Sequence, residues 1–187
     1  MTDLKARNWR ELIKPKSISV EGDNRSHSYG KFVCEPLERG FGITIGNALR
    51  RILLSSLQGA AIVSVKFDNV VHEFSTVPGV REDVTDIILN LKQIKLKLID
   101  SEEAVIHLEK QGEGAVTAED IETDGVVEIL NPEQHIATLN KGAKLGMEMV
   151  VKMGKGYLSS ETVKSGDQSI GEIPVDAIFS PIQKVNY

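Results

Sequence analysis

Glu35-Pro36-Leu37-Glu38-Arg39-Gly40-Phe41-Gly42-Ile43-Thr44-Ile45-Gly46-Asn47-Ala48-Leu49-Arg50-Arg51-Ile52-Leu53-Leu54-Ser55-Ser56-Leu57 carries the chain out of a strand pattern, round a glycine-rich turn and into a helix. Over residues 44–57, Ile45, Ala48, Leu49, Ile52, Leu53, Ser56 and Leu57 recur at three- and four-residue spacing, one wide apolar stripe on a helix. Gly59 stops it. The unbroken Ile52-Leu53-Leu54 run covers most of the helix circumference, more than a single-sided core can bury. One face is therefore expected on a sheet and another against a second chain. Arg50 and Arg51 lie about 100° apart and flank the stripe. Arginine is almost never fully buried unless paired, and it is favoured at the margins of protein interfaces.

On either side of this stretch the pattern is mostly strand. Residues 17–21 and 29–36 read as strands joined by a hairpin connection at 22–28. Residues 60–67 alternate, Asp68-Asn69 signals a turn, and 70–74 reads as a further strand. Pro78-Gly79 opens a second helical pattern through Val80, Val84, Ile87, Ile88 and Leu91, with Glu82 and Asp83 in its first turn. Residues 94–98 alternate strictly, and strands are expected at 104–108, 126–130 and 145–151. In the last, Leu145, Met147, Met149 and Val151 share one face. Loops are expected at 112–114, 154–156 and 165–171, and a last strand at 182–187.

The 187 residues suffice for a core without disulfide or metal, and 41% apolar with 26% charged residues is ordinary for a globular chain. Cys34 is the single cysteine, so neither an intrachain disulfide nor a CxxC zinc knuckle is possible. No apolar run spans a membrane and the polar start is no signal-peptide pattern, which points to the cytoplasm. Residues 1–60 carry a net charge of +4 and the remainder −9. An acidic body with a basic amino-terminal third suits a protein-binding face better than autonomous nucleic-acid binding.

Little in the sequence suggests catalysis. Gly40-x-Gly42-x-x-x-Gly46 follows a strand and opens a helix, where backbone amides can hold a phosphate, yet the spacing is not GxGxxG. A small nucleotide-binding enzyme built on this turn is the rival reading; the plainer one is a tight turn, with Gly46 admitting a close neighbour. Gly154-Lys155-Gly156 is no Walker loop and reads as a hairpin tip. His27, His72, His107 and His135 have no metal-ligand spacing, and Ser55-Ser56 forms no nucleophile elbow. Cys34 reads as a buried, inert thiol, and Glu82-Asp83 and Glu102-Glu103 as solvated pairs. No catalytic or metal-binding residue is expected.

The run 35–42, continued through Gly46-Asn47-Ala48-Leu49-Arg50-Arg51-Ile52-Leu53-Leu54-Ser55-Ser56, closely resembles the signature of the bacterial RNA polymerase alpha subunit family. Further matches follow in order along the chain. They are His72-Glu73-Phe74-Ser75-Thr76, Glu82-Asp83 through Asn90-Leu91-Lys92, Val116-Thr117-Ala118-Glu119-Asp120-Ile121, Gly154-Lys155-Gly156-Tyr157, and Val175-Asp176-Ala177 with Ser180-Pro181. The resemblance implies an α+β fold. Its dimerisation subdomain, residues 1–58 and 180–187, would set a long apolar helix on an antiparallel sheet and be completed by chain beyond Tyr187. An inserted, mainly β subdomain would occupy 59–179.

The resemblance also implies a homodimer that recruits the beta and then the beta-prime subunit, with omega and sigma in the holoenzyme. Position by position, Arg51 and Leu54 match residues implicated in binding beta, with Arg50 beside them; Lys92 and Val175 match residues implicated in binding beta-prime. Ile45, Leu49, Ile52 and Leu53 are expected to form the dimer seam. No cofactor is expected in this chain, the magnesium and zinc of such enzymes lying on the large subunits. The family's DNA-binding carboxyl-terminal domain has no counterpart in this sequence, so no direct DNA binding is expected from it. The Ser165-Gly166-Asp167-Gln168 loop lacks the acidic cluster at which an activator docks in some relatives.

Overall fold

A computed structural model describes residues 12–21, 28–68, 70, 72–163 and 171–187. The architecture is α+β and mostly sheet. The chain divides into two compact units, Met1–Arg51 with Val185–Tyr187, and Ile52–Lys184.

In the first unit, β1 (Ser17–Val20) pairs antiparallel with β2 (Phe32–Glu35). The register sets Ile18 opposite Cys34 and Val20 opposite Phe32, so these four side chains share one face. Cys34 is half-buried there, not enclosed as the sequence suggested, because a two-stranded sheet has no second layer to cover it. Gly40, at φ +85°, makes the turn that only glycine adopts without strain, and helix α1 (Phe41–Ser55) starts directly after it. The helix thus begins three residues earlier than the apolar spacing indicates.

No residue of α1 is buried. The expectation that one of its faces packs on a sheet is not met: the apolar residues are spread too widely round the helix for the described chain to cover. The expected strand at 182–187 is also absent. In its place Val185 turns its carbonyl to the Arg50 guanidinium, which donates at 2.7 Å, and the Tyr187 ring lies against Gly46. Any Cβ at residue 46 would run into that ring, which gives the mid-helix glycine its reason.

The second unit is built on an antiparallel sheet in the order β7-β5-β10-β3-β4-β8, with β12 also paired to β3. These strands are β3 (Gln58–Phe67), β4 (Leu96–Leu98), β5 (Glu103–Gln111), β7 (Ile121–Glu122), β8 (Val127–Ile129), β10 (Lys144–Lys155) and β12 (Glu172–Pro174). Leu145, Met147, Met149 and Val151 of β10 do share one buried face, as their alternation requires. Onto that core pack helix α2 (Val84–Leu91), through Val84, Ile87 and Leu91, and a second sheet of β6 (Gly114–Thr117) and β9 (His135–Leu139). Asp83 caps α2, its carboxylate accepting from the Asp86 amide at 2.7 Å, so the helix starts at Val84 and Glu82 stays outside it.

Two further expectations fail. Residues 72–74 form a turn closed by Ser75 Oγ and His72 Nδ1 at 2.9 Å, so no strand runs there, and Asn69 and Val71 lie outside the described residues. Gly154 and Lys155 are no hairpin tip; they end β10, opposite Gly59 and Gln58. Between that glycine pair and Phe179 no side chain could fit. A Cβ on Gly154 would sit 2.6 Å from the Phe179 ring, and one on Gly59 would meet the Phe179 carbonyl. Phe179, Ala177 and Val63 form a small cluster separate from the main core.

The register between β3 and β10 shifts at Val150/Val151, where Val150 faces Ser64 and Val151 faces Ile62. Val63 is therefore the extra residue of a β-bulge. Its carbonyl accepts from the Val175 amide at 2.8 Å, one step beyond the pairing of β3 with β12. The loop expected at 165–171, and the activator contact considered there, lie outside the described residues except for Gly171.

Candidate functional site

Helix α1 separates the residues singled out from the sequence into two arcs. At about 100° per residue, Ile45, Leu49, Ile52 and Leu53 fall within one arc of about 100°, and Arg50, Leu54 and Arg51 within the next. Ile43, Leu49 and Ile52 are 72%, 50% and 53% exposed, while Ile45, Leu53 and Leu54 are half-buried. Apolar side chains this exposed along one short helix, rimmed by two arginines, are what a partner-binding surface presents. Arg50 is tied to Val185, which fixes the direction of its guanidinium. Of the glycines in the turn, Gly46 lies in the helix interior under Tyr187, so the three do not line one loop.

The structure brings Lys92 and Val175, distant in sequence, to one place. Lys92 ends α2 and its ammonium stands 3.8 Å from Asp176 Oδ2. Val175 is itself 1% exposed; the bulge carbonyl of Val63 holds its amide and its side chain belongs to the core. What Val175 presents to the surface is its neighbour. Asp176 Oδ1 accepts the Ser160 amide at 2.8 Å, at the start of the short helix α3 (Ser160–Val163). That bond holds the Asp176 carboxyl below the usual range, helped by the Ser160 hydroxyl, the Lys92 charge and the Tyr157 side chain. Asp176 thus stands beside both Lys92 and Val175, a neighbour that only tertiary contact reveals.

Glu82 and Asp83 are not the solvated pair expected of their sequence. Glu82 instead clamps the segment before α2 to β9: it accepts the Thr138 amide at 2.7 Å and the Thr138 hydroxyl at 3.0 Å, with His135 Nε2 at 3.1 Å. Burial alone would raise the Glu82 carboxyl; the Thr138 and His135 hydrogen bonds outweigh it and hold the group low. Such a depressed carboxyl contributes stability above its unfolded pKa, about 4.3, and loses it as pH falls through the folded value. Glu82→Gln should destabilise the chain by about 1–3 kcal/mol at pH 7 and flatten its loss of stability below about pH 4. Urea midpoints measured between pH 7 and 3 would check this. Asp120 is also held low, burial opposing and Lys110 at 2.6 Å with Thr117 prevailing, so a residual slope is expected.

Among the described residues no group of three or more His, Cys, Asp or Glu side chains is placed to hold a metal, and no helix is long and apolar enough to cross a membrane. The model of the RNA polymerase Rpb3/RpoA insert domain family matches residues 65–180.

The chain belongs to that family.

Its relatives extend the likeness beyond the insert domain. It is 58% identical over 181 residues to a DNA-directed RNA polymerase subunit alpha of Syntrophus aciditrophicus, covering 97% of this chain and 52% of the relative. To the corresponding subunit of Symbiobacterium thermophilum it is 61% identical over 178 residues, covering 94% and 56%. To that of Geobacter metallireducens it is 58% identical over 181 residues, covering 97% and 53%. The chain therefore spans about half the length of the curated relatives it matches. The family match, residues 65–180, includes both Lys92 and Val175.

Proposed function

We propose that this chain is the assembly portion of an alpha subunit of DNA-dependent RNA polymerase: a dimeric scaffold that recruits the beta and beta-prime subunits and contributes no catalytic residue. The observation that carries the reading is α1, an apolar helix without a buried residue in a chain similar to polymerase alpha subunits along nearly its whole length. A helix of that composition needs a covering surface, and a second copy meeting it about a two-fold axis supplies one. In this reading residues 1–58 and 180–187 form the dimerisation subdomain and 59–179 the inserted one. Ile45, Leu49, Ile52 and Leu53 make the seam, and Arg50, Arg51 and Leu54 face beta.

Lys92 meets beta-prime, while Val175 acts from the core by placing Asp176 beside it. Omega and sigma complete the holoenzyme in the cytoplasm, and the magnesium and zinc of the reaction sit on the large subunits. Co-purification of the full-length chain with beta, with mass by light scattering, tests the proposal. Two copies per beta support it, and a stable dimer that ignores beta overturns it. Arg51→Ala should lower capture of beta at least about tenfold with dimer mass unchanged, and Arg51→Lys should not restore it, because an ammonium cannot reproduce the planar fork. Undiminished capture by Arg51→Ala would remove that residue from the interface.

A further inference from the structure

Beside Lys92 and Asp176 lies a small two-stranded sheet. Strand β11 (Tyr157–Leu158) pairs antiparallel with β13 (Ala177–Ile178), setting Tyr157 opposite Ile178 and Leu158 opposite Ala177. The two faces of this small sheet differ. Ala177 and Leu158 pack down on Val63 and Phe179. Tyr157 and Ile178 point away from that cluster and are 63% and 64% exposed. Cross-strand partners stand with Cβ atoms about 5 Å apart, so the ring and the isoleucine form one apolar patch.

The patch adjoins the polar pair. The Phe179 amide donates to the Gly156 carbonyl at 2.9 Å, closing the turn behind the tyrosine, and the Tyr157 side chain helps to hold the Asp176 carboxyl low. Lys92, Asp176, Tyr157 and Ile178 therefore follow one another across the surface. Asp176 is engaged by Ser160 at 2.8 Å, whereas Lys92 stands off at 3.8 Å, longer than the roughly 2.7–2.9 Å of a charge-assisted hydrogen bond. An ammonium has three donors, so Lys92 retains capacity for a further carboxylate. A tyrosine has only two side-chain torsions to lose when a partner covers it, and large aromatic side chains are the usual anchors of interfaces.

We infer that Tyr157 and Ile178 are the apolar anchor of the face on which Lys92 lies, and that the large subunit proposed above to meet Lys92 seats an apolar side chain on them and offers Lys92 a carboxylate. This inference rests on the beta-prime reading of Lys92. It is tested by binding beta-prime to a preformed complex of full-length alpha and beta. Tyr157→Ser combined with Ile178→Ser should reduce retained beta-prime at least about tenfold, with beta capture and melting temperature unchanged. Tyr157→Phe, which keeps the ring, should bind nearly as the parent does. Lys92→Glu should also lose beta-prime, with a deficit that shrinks at high salt, whereas the deficit of the serine pair should not.

If the serine pair binds normally while Lys92→Glu fails, the anchor is overturned and the reading of Lys92 stands. If both bind normally, the two fall together. Should the double variant unfold, Ile178→Ser alone decides the matter, since it removes no hydrogen bond from the Asp176 cluster; normal binding by that variant overturns the anchor.

Discussion

Phe179→Ala should cost the fold about 3–5 kcal/mol, a large share of the 5–15 kcal/mol that holds a typical domain together. The ring is buried against the backbone of Gly154, and a strand backbone gives the cavity it leaves little room to collapse. For a chain of this size the loss lowers the melting temperature by about 2–4 °C per kcal/mol. A double-mutant cycle makes the expectation sharper. Gly154→Ala alone drives a Cβ to 2.6 Å from the ring and should destabilise by about 1–3 kcal/mol. In the Phe179→Ala background the collision is gone, and the same change should stabilise the strand by about 0.5–1 kcal/mol, because glycine carries the greater conformational entropy. Gly59→Ala meets the Phe179 backbone carbonyl, so it should remain damaging in both backgrounds. Equal costs for Gly154→Ala with and without the ring would show that the ring is not what keeps residue 154 a glycine.

The second large effect is expected in assembly. Leu49→Asp places a carboxylate in the arc of α1 assigned to the dimer seam, and an isologous interface repeats every substitution in its two-fold copy. Two unpaired charges would be desolvated together, each at several kcal/mol, which raises the dimer dissociation constant by at least about a thousandfold. Light scattering of the full-length variant should give a monomer mass where the parent gives a dimer. Leu49 is 50% exposed in the single chain, so the fold itself should melt at the parental temperature. A variant that stays dimeric excludes this arc from the seam.

Local pattern made part of this molecule legible. The alternation of Leu145, Met147, Met149 and Val151 specified a buried face because period two is a property of the strand itself. The spacing of Val84, Ile87 and Leu91 located α2, though Asp83 as its cap, not Pro78-Gly79, decided where it starts. The misreadings share one cause: a distant contact chose among conformations that local pattern left open. Residues 72–74 follow a turn signal as a strand would, but are turned, with Ser75 Oγ hydrogen-bonded to His72 Nδ1. Gly154 looked like loop punctuation and is a strand residue made small by Phe179. Glu82 looked solvated and is an acceptor for β9. At the candidate site Lys92 and Val175 came from likeness to known sequences, while Asp176, which joins them, needed the bulge at Val63 and the start of α3 to be seen.

The central position of β3 also has a meaning in time. Its partners β4, β10 and β12 all lie later in the chain, and the one that pairs along its full length, β10, is the farther of the first two. A ribosome adding about 5–20 residues per second takes roughly 4–16 s to cross the interval of about 80 residues between β3 and β10. Throughout that interval Ile62, Val63, Val65 and Phe67 have emerged without the strand that buries them. During its own synthesis the chain is therefore most vulnerable to aggregation at the strand that later lies deepest in its sheet.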